Sequence, residues 1–289
     1  MSRTPVTVAL SGGGAKTAAH LGALRALREA DCTPARFVAT SMGAVLAAAV
    51  AGGADPAVLL ERLPELGRRG VVRDPLAPVQ GLFLRSLLKP APFRRAIEEL
   101  VSARRFAELG VPLTVCVTDL DSGELLIYGD GGDDAPLIEV LLASCALPIY
   151  FPPHPLQGRR CGDGGLHGAL PLGPAARLAR EAVVAVDVGP GFDMAEPGAP
   201  PALPAVVRAH EEALGTLMAE ATAAQLALWR ATAGRPELLY VRPRVERSAT
   251  FRTDRVRSYA DDGYAAAREV LDRWRRALDP LPSPAKLST

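Results

Sequence analysis

The chain lacks most of the features that would assign it by composition. Its 289 residues include four cysteines, Cys32, Cys116, Cys145 and Cys161, with no C-x-x-C pair and no regular spacing. That excludes a disulfide framework or a zinc cluster and leaves four small apolar side chains suited to a reducing compartment. An excess of one charge is also missing. With 33 basic and 32 acidic residues the net charge is +1, so no overall field gathers nucleic acid. The arginine pairs 68–69, 94–95 and 104–105 fall at helical spacing among Leu and Ala and read as solvated faces. Every long apolar run is broken by Gly or Asp short of a membrane span, there is no internal repeat, and "MSRTPVTVAL" enters a strand pattern at once, with no room for a signal peptide. These absences predict a cytoplasmic protein, at most peripheral to a membrane.

What is present is a core. Apolar residues make up 48% of the chain, enough for a large buried interior. The first part alternates strand and helix patterns: a strand at 6–10, a helix at 15–30, a short strand at 37–40, and a small-residue helix at 42–51 that stops at Gly52-Gly53. This order implies an α/β protein with a mostly parallel sheet covered on both faces. Residues 58–110 read as helical, with "PFRRAIEELVSARRFAEL" the most regular amphipathic part. "VPLTVCVTDLDSGELLIYGD" reads as a hairpin; its D-x-D-x-G is not a calcium loop, because Glu124 stands where that loop requires Gly. A helix at 136–146, a strand in "AVVAVDVGP" and a loop-like "GPGFDMAEPGAPPALP" follow.

"LSGGGAKTAAHLGAL" joins the first strand to the first helix, a place where backbone N–H groups meet anions. It does not close as a nucleotide loop. A phosphate-binding lysine needs Gly immediately before it, and Ala15 precedes Lys16. A dinucleotide fingerprint needs a third Gly and a carboxylate after the next strand, and here Thr17 and Ala-Thr-Ser stand in those places. Further on, "VATSMGAVLAAAV" sets Ser41 where a short strand meets a helix, two residues before Gly43. "CGDGGLHGALPL" sets Asp163 in a tight glycine turn. Alone, the first also reads as an N-cap serine and the second as an ordinary turn.

In order and context the three segments together resemble the patatin-like phospholipase family, whose signature is an oxyanion loop G-G-G-x-[KR]-G, then G-x-S-x-G, then D-G-[GA]. "ASCALPIYFPP", "VVAVDVG" and "DRVRSYADDGYAAAREVL" are similar to later segments of that family. The resemblance implies a three-layer α/β/α sandwich in one domain over residues 5–277, with a tail at 278–289. It implies a serine acyl hydrolase that cleaves lipid esters through a Ser41–Asp163 dyad and an acyl-serine. The amides of Gly12, Gly13 and Gly14 would face the oxyanion. Lys16 would support the loop or meet a headgroup, and Met42, Gly43, Gly164 and Gly165 would support the two catalytic side chains. No metal or cofactor is required. The implied partners are a lipid or acyl-ester substrate and a transient membrane surface, with no nucleic acid. The segments around Leu82-Phe83 and Ile149-Tyr150-Phe151 are candidates to hold an acyl chain.

The chain departs from the family pattern at Thr17, at Ala39 and at Ile149-Tyr150, each in a place where Gly is usual. Two other readings therefore stand beside the dyad: a Ser-His-Asp carboxylesterase using His167 or His210, and a catalytically silent lipid-binding or regulatory protein on the same fold.

Overall fold

The computed structural model describes residues 3–72, 86–191, 205–246 and 252–278. Leu82-Phe83, most of the loop-like segment at 189–204, and the tail beyond Leu278 lie outside these residues. Eight strands form one sheet. In chain order they are β1 (Thr4–Leu10), β2 (Cys32–Thr40), β3 (Leu113–Asp119), β4 (Leu125–Gly129), β5 (His154–Leu156), β6 (Arg159–Asp163), β7 (Val183–Val186) and β8 (Leu238–Val241). The helices are α1 (Ala18–Glu29), α2 (Met42–Ala51), α3 (Pro56–Gly70), α4 (Pro90–Leu100), α5 (Leu137–Ser144), α6 (Leu172–Leu178), α7 (Ala205–Ala231) and α8 (Val256–Leu278).

Strands β8, β7, β1, β2 and β3 run parallel side by side. Parallel strands are buried on both faces, which is why they read as continuous apolar runs rather than alternating ones. Val6, Val8 and Leu10 of β1 and Val184 and Val186 of β7 enter one apolar cluster with α1, α2 and α5. Ala9, Val183 and Ala185 point the other way, into a second cluster with α6 and Trp229 of α7. Two cores on opposite faces of one sheet make the three-layer sandwich.

The antiparallel part positions the site. Strand β4 pairs with Thr114–Thr118 of β3 along one edge. The other edge is shared end to end: β2 pairs as far as Thr40↔Cys116, and β6 takes over at Asp163↔Val117. The last residue of β2 and the last of β6 therefore face successive residues of β3.

Several boundaries differ from the sequence reading. The helix expected from residue 15 begins as a 3-10 turn, Gly14–Thr17, and becomes α-helical only at Ala18. Strand β2 starts five residues earlier than expected, at Cys32. The regular helical stretch ends at Leu100, where Val101 turns to extended backbone, and only a 3-10 turn, Phe106–Glu108, follows. Strands β5 and β6 carry no strand pattern in the sequence, because Pro, Arg and Gly dominate them. The hairpin stands: Asp119 accepts N–H bonds from Asp121 and Ser122 and pairs with Arg159. Arg69, Arg94 and Arg105 of the predicted solvated faces pair with Glu65, Glu139 and Glu108.

Candidate active site

Ser41 follows β2 directly and caps α2 with φ 56° and ψ −136°. A non-glycine residue there is strained, and such geometry persists only where its surroundings over-determine it. Three features do so. The Ser41 N–H donates to Ser144 Oγ at 2.8 Å, and Ser144 Oγ–H donates in turn to the carbonyl of Cys116 at 2.7 Å. Gly43 lies so close to the preceding loop that a Cβ there would sit 2.3 Å from the Ser11 carbonyl. A Cβ on Gly12 would sit 3.0 Å from Ser41 Cβ, so glycine at 12 is what lets the loop pass the serine.

Ser41 Oγ–H donates to Asp163 Oδ2 at 2.7 Å, across 122 residues of sequence. The other carboxylate oxygen, Oδ1, accepts from the Gly165 N–H at 2.8 Å. Asp163 is fixed through its backbone as well: its N–H donates to the Ala146 carbonyl and its own carbonyl accepts from Thr118 Oγ1. The side chain is 3% exposed. Burial pushes its pKa up from 3.8 to about 6, opposed by the Gly165 N–H and the Ser41 hydroxyl. Cys145 adjoins the pair, and burial and the nearby Asp163 hold its thiol pKa well above the usual range.

The glycine loop divides its expected work. The Gly12 N–H donates to the Ala169 carbonyl at 3.0 Å, so Gly12 is not a free donor and its role is steric. The N–H groups of Gly13 and Gly14 have no partner among the described residues and remain available. The loop is braced on both sides: Ser11 Oγ accepts from the Val188 N–H, and the Ser11 carbonyl accepts from His20 Nε2 at 2.8 Å. Thr17 Oγ1–H holds the Gly14 carbonyl at 2.6 Å, a task glycine could not perform. Lys16 is 2% exposed, which suits a role inside the loop and not a headgroup contact at the surface. Met42 is half-buried at the open first turn of α2, and Gly164 and Gly165 begin the 3-10 turn that follows Asp163.

Among the described residues no histidine bonds to Ser41 or Asp163. His20 serves Ser11, His154 bonds to Glu139, and the carbonyl of His167 accepts from Gln225. Ala39 sits in β2 without a positive φ, so alanine is tolerated there. Ile149, by contrast, takes φ 70°, a glycine conformation carried by a β-branched residue. Phe151 stacks on Phe93, their ring centroids 4.7 Å apart, and with Leu142, Ala146 and Pro152 they line an apolar pocket. Ser144 and His20 carry more of the site's geometry than the sequence reading gave them. A serine ending the otherwise apolar helix "LIEVLLAS" was the available signal for the first.

The family model for patatin-like phospholipase matches residues 8–176, more than half of the chain, including the glycine loop, Ser41 and Asp163. The chain belongs to the patatin-like phospholipase family. An NTE family protein of Mycobacterium tuberculosis (strain ATCC 25618 / H37Rv), named as uncharacterised, is 32% identical over 203 residues, which is 66% of this chain and 52% of that protein. The human patatin-like phospholipase domain-containing protein 6 is 28% identical over 188 residues, 64% of this chain and 13% of that protein. This patatin-like chain thus spans about half the length of the mycobacterial relative and less of the human one. Its fold is similar to that of VipD from Legionella pneumophila, with a TM-score of 0.50 at 18% identity, covering 94% of this chain and 67% of that one. No helix among the described residues is long and apolar enough to cross a membrane.

Proposed function

We propose that the protein is a serine hydrolase of lipid carboxylic esters, with Ser41 as nucleophile and Asp163 as its general base. The observation that carries this reading is the 2.7 Å bond from Ser41 Oγ to Asp163 Oδ2 at a strained strand-to-helix junction. The lipid class comes from family membership and from relatives named as phospholipases.

In the proposed reaction Ser41 Oγ attacks the ester carbonyl carbon while its proton passes to Asp163. The tetrahedral oxyanion lies against the Gly13 and Gly14 amides, donors typically worth about 2.7–4 kcal/mol each. The intermediate collapses, the C–O bond to the alcohol breaks, and Asp163 returns the proton to the leaving oxygen. Water then attacks the acyl-serine with Asp163 again as base, releasing the acid and restoring Ser41. A free carboxylate is too weak a base for this work, and burial is what lifts Asp163 toward it. A triad reading gains no support, because the carboxylate meets the hydroxyl directly.

The test is covalent labelling by a fluorophosphonate together with turnover of a chromogenic acyl ester. Wild type is expected to label and turn over, and Ser41→Ala to do neither while keeping its circular dichroism. A wild-type chain that stays unlabelled would make the protein a silent member of the fold. An unimpaired Ser41→Ala would remove the nucleophile assignment.

A further inference from the structure

Three large hydrophobic side chains stand exposed among the described residues, and two of them lie on α7: Leu217, 68% exposed, and Leu228, 58% exposed. At 100° per residue these positions are three turns apart along the helix and about 20° apart around it. The exposed Ala213 and Ala224 fall on the same strip. No charged residue lies on it. Glu220 stands at its edge; Glu211 is turned to the Tyr150 hydroxyl, and Glu212 lies within 4.0 Å of Arg208.

The opposite face of α7 covers the Asp163 turn. Met218 Cε packs against Gly165, and Gln225 Nε2 donates to the His167 carbonyl. The apolar strip is thus the outer side of the helix that roofs the candidate site.

At the C-terminal end of the strip the surface changes character. Leu228 lines a groove with Gly173, Ala176, Gln225 and two cations, Arg177 of α6 and Arg235 beyond α7. Arg180 and Arg230 are exposed a few residues away. None of these four arginines has a carboxylate partner among the described residues, whereas Arg69, Arg94 and Arg105 elsewhere do. Arg235 lies over the Trp229 ring, 5.5 Å from its centroid.

An uncharged strip with exposed leucines, ending in unpaired guanidinium groups, matches the boundary between acyl chains and phosphates. Amphipathic helices lie in that boundary with their apolar side inward. Guanidinium groups pair with phosphate through a fork of donors. We propose that the outer face of α7, with Leu217 and Leu228 as apolar anchors and Arg177 and Arg235 as phosphate contacts, docks the protein on an anionic lipid surface. The choice of a lipid surface over a protein partner rests on the lipid-hydrolase reading above.

The experiment is flotation of the full chain with vesicles of phosphatidylcholine, with and without phosphatidylglycerol, carried out on the Ser41→Ala background so that no lipid is consumed. Association with the anionic vesicles is expected, weakening as salt rises. Leu217→Glu/Leu228→Glu should reduce it at least ~10-fold. Arg177→Ala/Arg235→Ala should weaken binding to anionic vesicles about 25-fold, at about fivefold per cation, and leave binding to neutral vesicles unchanged. With Ser41 restored, both double variants should keep wild-type melting temperature and wild-type turnover of a water-soluble ester. Loss of that turnover in the wild type would remove the hydrolase reading and leave the flotation result intact. A wild-type surface that does not float, or a Leu217→Glu/Leu228→Glu chain that floats equally well, overturns the docking proposal. So does a dimer in sedimentation that this variant dissociates, because the strip would then belong to a second copy.

Discussion

In the proposed reaction Asp163 takes a proton from Ser41 only when it is ionised, yet burial favours its neutral acid. This fixes a pH dependence. With a pKa of about 6, kcat/KM should fall as pH drops below about 6 and reach a plateau above it. The stability effect has the opposite sign. The folded state binds this proton more tightly than the unfolded chain, so the contribution of Asp163 to stability is full below 3.8 and is lost as pH rises through about 6. Asp163→Asn should therefore abolish acylation of Ser41 at every pH. It should also melt higher than wild type at pH 8, with the gain shrinking toward pH 4; thermal melts across that range measure it. His167→Ala and His210→Ala should keep most activity, because among the described residues neither ring bonds to Ser41 or Asp163. A His167→Ala variant as inactive as Asp163→Asn would restore the triad.

At the scale of elements, two braces decide whether the strained serine and the glycine loop hold their places. The first is Ser144 at the end of α5. Ser144→Ala would leave the Ser41 N–H and the Cys116 carbonyl without partners, a cost of about 1–3 kcal/mol for each buried group. It should lower kcat with little change in KM, and fluorophosphonate labelling should slow in parallel. The second brace is His20 on α1, fully buried and donating to the Ser11 carbonyl. Burial holds its pKa down to about 4. A histidine with a depressed pKa binds protons more tightly in the unfolded chain, so wild-type stability should fall as pH drops from 6.5 through about 4. His20→Gln keeps a donor and should remain active with a shallower acid transition. His20→Leu should lose turnover and label slowly. Equal activity in the two variants would remove the brace.

For the molecule as a whole, the alternation of strand and helix was legible because a sheet buried on both faces leaves an unbroken apolar signature. That Ser41 and Asp163 meet was legible only from the order of three segments that resembles the family, since each turn alone also reads as a cap or an ordinary turn. Ser144 and His20 were not, because each acts through backbone groups supplied by a distant segment. Nor could spacing reveal that Gly12 serves as a gap rather than a donor, since that depends on where Ala169 returns. The segment beyond the family match is structural in the same way: β7 pairs with Thr7–Leu10, and Val188 packs on Gly13. A chain truncated after Ala176 should thus expose an edge of β1, fail to show a cooperative melt and not label with a fluorophosphonate.

Strand β3 carries the end of β2 and the end of β6 on one edge, and that arrangement sets a timetable. A growing chain releases Ser41 and the glycine loop well before it releases Asp163, 122 residues later. At ordinary synthesis rates the interval is about 6–25 s. Throughout it, the emerging segment carries the glycine loop and the serine but not the carboxylate that accepts the serine's hydrogen bond. On the proposed chemistry, a half-made chain cannot attack the lipids of the cell that is making it.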